Sequence, residues 1–468
     1  MKAGQGAVRG KSRTAGAESR DGQRAAAPPL VSGALPVVGH APEFLRDQLG
    51  LLQRGYAEHG QVFRLRLGLR PAVFLAGSDL IRWAFRETDE GIEIGPALAF
   101  TRNLFGPDFY FLARREEYLR QREVMLPLFR AKMMASYLSI MERHCAALVA
   151  RLGDRGTFDL PSEMNDLVLG VIMESFLGDG FSRSMPASVA VDFRDLMRGL
   201  DPVTPPWVPA PHLVRARRAR DRLHGLASAA IEARGGQQAD PPDFLQELLS
   251  ARAADGTPAE RRWVIQMALG TTFAGHDSTT GHLSWAVADL LQHPGELGKV
   301  LAEQRGYLRP GEPLDLPTIH QMTALQRALR ETGRLHTVAP VMIRRAMRPL
   351  QVADATIPAG ADVFIAAALS HRCPAIFDAP ASYTPDRYLT APGLAAHLHG
   401  FGGGTHRCLG EHYAGLLAHV VVSRLLERFD LTLADTPKPV PTPAFKGVRS
   451  PCRVRYRKRL DSTTPQRA

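Results

Sequence analysis

"HGFGGGTHRCLGEHYAG", residues 399–415, puts four glycines, two histidines, an arginine and a cysteine into its first ten positions. The tripeptide His-Arg-Cys occurs once before, at 371–373, with Pro374 after it and no glycine beside it. The two cysteines are therefore not equivalent. A thiolate ligand needs a lowered pKa, hydrogen-bond donors near the sulfur and room for what it binds. Around Cys408, the glycines Gly402, Gly403, Gly404 and Gly410 remove side chains and permit unusual backbone angles, so the chain can lie against a large flat ligand and aim amide hydrogens at the sulfur. The helical pattern beginning after Gly410 brings its positive end nearby, which favours an anionic sulfur. Phe401 is placed to cover one side of the sulfur, and His406 to reach a carboxylate at the ligand's edge. Cys373 lacks this setting and reads as a small buried residue or a surface thiol. A rival reading joins His371, Cys373, His406 and Cys408 into a Cys₂His₂ zinc site. Structural zinc sites space their ligands by two to four residues, and neither His-x-Cys pair does.

The rest of the chain supplies a large body for that loop. Its 468 residues are 45% hydrophobic and 22% charged, enough to bury a sizeable core. No fixed-period repeat or low-complexity tract interrupts it, and no stretch reaches the roughly 18–20 apolar residues of a membrane span. The net charge of +11 raises a nucleic-acid partner, but residues 1–28 hold six basic and two acidic side chains and residues 451–468 six basic and one acidic. Most of the excess thus sits at the two ends, and the long middle is nearly neutral, which argues against nucleic acid. Residues 1–28 carry no apolar signal-peptide core and are expected to be a disordered basic tail ahead of one domain, 29–468, in a cytoplasmic, monomeric protein. Four widely spaced cysteines give no disulfide framework.

Apolar spacings of three and four predict helices over 114–150, 160–178, 211–234, 241–253, 258–292 and 317–336, and another from Gly410 to about Phe429. A hairpin is expected at 60–77, with further strand-like pieces at 361–369 and around 430–459, where arginines alternate with Val454 and Tyr456. The fold class is mainly α with small β-sheets. The longest helix, 258–292, ends at His293-Pro294-Gly295, yet its middle, "TTFAGHDSTTGHLSW" (271–285), has small and polar residues where a buried helix should carry large apolar ones. Such local inconsistency marks a functional stretch.

"FGGGTHRCLG" (401–410) fits the pattern F-x-x-G-x-x-x-C-x-G, "ETGR" (331–334) fits E-x-x-R, and "YTPDRY" (383–388) fits F-x-P-x-R-F with tyrosines for phenylalanines. In this order the motifs resemble those of the cytochrome P450 superfamily, the haem-thiolate monooxygenases. The resemblance covers residues 30–459. It implies a triangular helical prism holding haem b (iron protoporphyrin IX) between the long central helix and the helix after the cysteine loop, with Cys408 as the axial ligand of the iron. It implies that Glu331, Arg334 and Arg387 interlock inside the protein and steady the cysteine loop. Alone, Glu331 and Arg334 would be an i, i+3 surface pair. Arg344 matches a propionate-binding position. "YLRQR" (118–122) resembles a W-x-x-x-R element of the same purpose, so Tyr118, Arg122, Arg344 and His406 are expected to hold the haem carboxylates. "AGHDST" (274–279) fits [AG]-G-x-[DE]-T-[TS] with serine at the fifth position. There Ala274 leaves room above the iron and Asp277 with Ser278 forms an acid–alcohol proton relay, Thr279 replacing Ser278 if the register shifts by one.

The implied reaction inserts one atom of O₂ into a C–H bond. No flavin or nicotinamide site is legible in the chain, so the electrons are expected from a ferredoxin or flavodoxin with its reductase. "FAGHDSTTGHLSW" (273–285) and "PCRVRYRKR" (451–459) look like the bacterial sterol 14α-demethylase branch. That branch has His-Thr where this chain has Asp277-Ser278, and a tyrosine and a proline where "LAFTRNLFG" (98–106) has Leu98 and Asn103. A changed substrate is expected: a terpenoid, steroid-like or polyketide molecule lined by Phe100, Phe105, Phe109, Leu269, Phe273, Val338 and Val341. Sterol demethylation itself, or a reaction on the same fold that is not a monooxygenation, is the alternative.

Overall fold

A computed structural model describes residues 26–459 except 68–70, 107–108, 185, 187, 202–203, 205–207, 237–242, 253–255, 310 and 442–446. Helices form most of it. The central one, Arg261–Gln292, is 32 residues long, close to 48 Å at about 1.5 Å per residue, and is stopped by Pro294. Leu160–Leu177 lies alongside it, and Glu411–Arg428 and Thr323–Leu335 pack against its second half. Ala131–Leu152 in turn packs on Glu411–Arg428 and on Leu160–Leu177. Twelve of the eighteen residues of Glu411–Arg428 are buried, which is why its sequence is apolar nearly all round.

The expected hairpin forms as Val62–Arg66 and Pro71–Leu75 and opens a five-stranded sheet. Asp362–Ile365 pairs parallel to Pro71–Leu75, then Met342–Ala346 and Ile92–Glu93 follow antiparallel. The register aligns Phe63, Phe74 and Phe364, whose rings stack at 5.7 and 4.6 Å. The strand Arg453–Lys458 lies between Arg155–Asp159 and Phe429–Leu433, with Val454 and Tyr456 inward. Its outward charges meet Asp435, Asp430 and Asp154, so this is a solvated face. Buried hydrophobics fall into one large cluster among the helices and two smaller ones around the sheet. No helix of the described residues is long and apolar enough to cross a membrane.

Several boundaries differ from expectation. The helix foreseen over 241–253 is Phe244–Ser250, capped by the Asp243 carboxylate on the Gln246 N–H. Met125 and Arg130 enclose a 3₁₀ turn that splits the segment 114–150, because Pro127 interrupts it. The helices Gln48–His59, Ser78–Glu87, Val189–Arg198 and Pro294–Tyr307 were not foreseen. Residues 1–25 of the basic tail lie outside the described residues, whereas Ala26 bridges Ala355 at the sheet.

Candidate functional site

The glycines of the cysteine loop do different work. Gly402 and Gly404 have φ of +73° and +62°, a region that side chains disfavour. Gly403 is extended, and a Cβ there would stand 2.3 Å from Phe85 Cδ2. Cys408 N–H donates to the Phe401 carbonyl at 2.9 Å, closing the loop, while the Phe401 side chain is exposed. Gly410 precedes the helix Glu411–Arg428, and its N–H reaches the sulfur. Burial pushes the Cys408 thiol up, against the lowering effect of that N–H and of the Arg407 and Arg122 charges. Cys408 nonetheless keeps exposed surface, so the residue is not closed off by protein on every side.

Beside this loop the structure assembles the expected cationic cluster. Tyr118 Oη donates to Thr405 O at 3.0 Å, and its ring stacks on His406 at 3.9 Å. Arg122 Nη1 donates to Arg407 O at 3.2 Å and lies 3.4 Å from both Tyr118 and Tyr110 hydroxyls. His406 Nε2 is 2.7 Å from Asp89, a carboxylate that sequence reasoning missed and that sits at φ +72°. Arg344 is 7% exposed and bonds only Thr88 Oγ1 and the Ile343 carbonyl. Burial lowers its pKa to about 10 against the raising effect of the nearby Asp89 charge, and among the described residues no carboxylate is in ion-pair contact with it. A buried guanidinium with no carboxylate in direct contact, together with an imidazole, a second arginine and a phenol, is a donor set for carboxylates. Together with a soft, partly accessible sulfur, it fits a flat metal macrocycle bearing two carboxylates.

Glu331, Arg334 and Arg387 interlock. Arg334 donates to Glu331 through Nε at 2.9 Å and Nη2 at 2.7 Å, and Arg387 Nε donates to Oε1 at 3.0 Å. Arg334 also holds the carbonyls of His371, Pro380 and Ser382. The zinc alternative does not form: among the described residues no three His, Cys, Asp or Glu side chains converge, and Cys373 faces Tyr56 Oη at 3.5 Å.

On the central helix Ala274 is exposed in the middle of a buried element. Ser278, one turn on, shares its face and donates to its carbonyl at 3.0 Å. Thr279 is 3% exposed and rotated away, so Ser278 is the hydroxyl on Ala274's side. Asp277 pairs with His276 Nδ1 at 3.1 Å. His282, a further turn along the same face, was also missed. Burial lowers its pKa to about 4, and no described residue hydrogen-bonds its ring.

Of the apolar candidates, Phe105 stacks on Phe109 at 4.8 Å and meets Phe273 edge-on at 4.7 Å, and Phe109 covers Gly270. Leu269 is buried on the same stretch of helix, and Val338 is partly buried after Thr337. Two further candidates pack against other groups. Phe100 lines a separate cavity with Leu104, Leu213 and Arg217, because the turn Ala99–Thr101 points it toward the helix Pro211–Arg234. Val341 packs against the cluster of Val31, Leu51 and Phe74, because it lies just before the strand Met342–Ala346 of that sheet.

The chain is similar along nearly its whole length to known proteins. The chain is 28% identical over 453 residues to a sterol 14α-demethylase of Mycolicibacterium vanbaalenii, covering 92% of this chain and 98% of that one. A sterol 14α-demethylase of Mycobacterium tuberculosis is 29% identical (93% and 99% covered), and an obtusifoliol 14-alpha demethylase of Triticum aestivum 27% (92% and 98%). Among solved structures, "Retinoic acid bound cyanobacterial CYP120A1" superposes with a TM-score of 0.84 at 25% identity, covering 93% of this chain and 99% of that chain. The cytochrome P450 family model matches residues 28–453. The chain belongs to the cytochrome P450 family, haem-thiolate monooxygenases that carry haem b.

Proposed function

We propose that the protein hydroxylates a bulky apolar molecule of terpenoid, steroid-like or polyketide class, taking electrons from a ferredoxin or flavodoxin and working as a cytoplasmic monomer. The observation that carries the substrate class is the aromatic group Phe105, Phe109 and Phe273 beside the open Ala274 stretch of the central helix. When bound, haem supplies the activation of O₂. The chain supplies the rest. In this reading Cys408 holds the iron, with Gly410 N–H keeping its sulfur anionic, and Arg344, His406, Arg122 and Tyr118 bind the carboxylates and so fix the ring's rotation. Ser278 Oγ, which already donates to the Ala274 carbonyl, passes protons from Asp277 to the space beside Ala274. Leu269 and the aromatic group exclude water from it.

Sterol 14α-demethylation is the second reading, favoured by the activities of the relatives above. Asp277-Ser278 in place of His-Thr, and Leu98 and Asn103 in the substrate loop, weigh against it. Titrating the purified haem protein with 14α-methyl sterols, terpenoids and macrolide aglycones separates the two. Micromolar spin-state shifts with non-sterol ligands, and hydroxylated products with a surrogate ferredoxin pair, are expected. Response to 14α-methyl sterols alone would leave only the second reading. Cys408→Ala is expected to lose the thiolate-type spectrum of the reduced carbon monoxide complex, and its retention would end the haem-thiolate assignment.

A further inference from the structure

The first His-Arg-Cys copy, at 371–373, has no role in the reaction as derived above. Its histidine is nevertheless among the most tightly held side chains in the molecule, 1% exposed and hydrogen-bonded on both sides of the ring. His371 Nε2 lies 2.8 Å from the backbone N–H of His399, and Nδ1 lies 2.7 Å from Thr337 Oγ1. The tautomer follows from these partners. A backbone N–H can only donate, so Nε2 accepts and Nδ1 carries the proton, which it gives to Thr337 Oγ1. Thr337 then donates to the carbonyl of Arg334 at 3.1 Å or of Gly333 at 3.2 Å. The carbonyl of His371 itself takes Arg334 Nη1 at 2.9 Å.

His399 opens the cysteine loop. Its carbonyl accepts the Gly402 N–H at 3.0 Å, and its side chain meets Ser78 Oγ at 2.9 Å. A Cβ on Gly400 would fall 3.9 Å from His371 Cε1, so the next loop residue also passes close to the ring. We propose that His371 is a positioning residue: it carries the rigidity of the Glu331–Arg334–Arg387 cluster onto the start of the cysteine loop and thereby holds the backbone that presents Cys408. Among side chains of this size, imidazole alone offers an acceptor and a donor on opposite sides of one rigid ring, and both are used here. The inference rests on Cys408 being the thiolate ligand.

The test compares reduced carbon monoxide spectra of wild type, His371→Phe, His371→Gln and Thr337→Val haem proteins during mild heating. Wild type must first show the thiolate-type band, since its absence would overturn the ligand assignment and not this inference. His371→Phe keeps a flat ring, somewhat larger than imidazole, but leaves the buried His399 N–H without an acceptor. It is expected to convert from the thiolate-type to the thiol-type band about tenfold faster, at a temperature where helix content by circular dichroism equals that of wild type. His371→Gln, which restores an acceptor, should recover most of the difference, and Thr337→Val, which frees the tautomer, should fall between. Conversion of His371→Phe at the wild-type rate would overturn the proposal. If His371→Phe does not fold, Thr337→Val takes its place, and conversion of that variant at the wild-type rate overturns the proposal equally.

Discussion

Glu331 accepts four hydrogen bonds, from Arg334 Nε and Nη2, Arg387 Nε and the Thr384 N–H, with no side-chain surface exposed. Burial would raise its carboxyl pKa, but the Arg334 and Arg387 guanidiniums and the Thr384 N–H win and hold it below the usual carboxylate range. Glu331→Gln leaves two buried guanidiniums uncompensated and should cost about 3–5 kcal/mol in urea unfolding. Both this carboxylate and His371 make the fold acid-sensitive. A lowered carboxyl pKa gives stability that is present above its unfolded value and lost as pH falls through the folded one. His371, pushed from 6.5 to about 3 by burial, is bound neutral, so its contribution is complete above pH 6.5 and drains away toward pH 3. The urea midpoint of wild type should therefore fall between pH 6.5 and 4, and less steeply in His371→Gln. An equal slope in both would show that His371 takes up no proton there. Gly403→Ala tests sterics alone: its Cβ meets Phe85, so haem retention should drop and Phe85→Leu should restore part of it.

At the scale of elements, the central helix shows what was legible in the sequence and what was not. Its end was readable because Pro294 cannot continue a helix, and its working stretch because Ala274, Gly275 and Ser278 break an apolar pattern. Which hydroxyl faces Ala274 depends on rotation about the helix axis, and the motif left that choice open. The structure brings Ser278 to Ala274's face and buries Thr279. Ser278→Ala should divert electrons to peroxide and lower product per NADPH severalfold, whereas Thr279→Val should leave that ratio near wild type; the reverse pattern would transfer the relay to Thr279. That Tyr118, Arg122 and His406 come together at the cysteine loop was legible, because motif spacing named all three. Asp89 was not, since a lone aspartate between a helix and a two-residue strand carries no periodic signal, and His371 was hidden for a similar reason: its partners are 28 and 34 residues away. Where Phe100 and Val341 pack was not legible, because composition marks a residue as apolar without saying which of several cores receives it.

The whole molecule places the cysteine loop between two cores. Gly403 and Gly404 lie against Phe85 of the sheet-side cluster, while Gly410 lies against Phe129 of the helical one. The clusters are separate: the stacked Phe63, Phe74 and Phe364 belong to a second sheet-side cluster, and the central helix with its neighbours forms the helical one. What joins them at the site is the loop, the Arg344 strand and whatever the two together hold. A ligand that binds the folded form alone adds RT ln(1 + [L]/Kd), about 2.7 kcal/mol at a hundredfold excess over Kd, and here that energy acts across the seam. Extracting the haem should therefore lower the melting temperature and speed amide exchange first in residues 399–410 and in the strand Met342–Ala346. The paired strands Val62–Arg66 and Pro71–Leu75 should stay protected, because their hydrogen bonds and ring stack do not involve the site. Adding haemin back should restore both readings in proportion to occupancy. Uniform loss of protection across all strands would instead mean that the two cores melt as one unit and that the seam is no weaker than the rest.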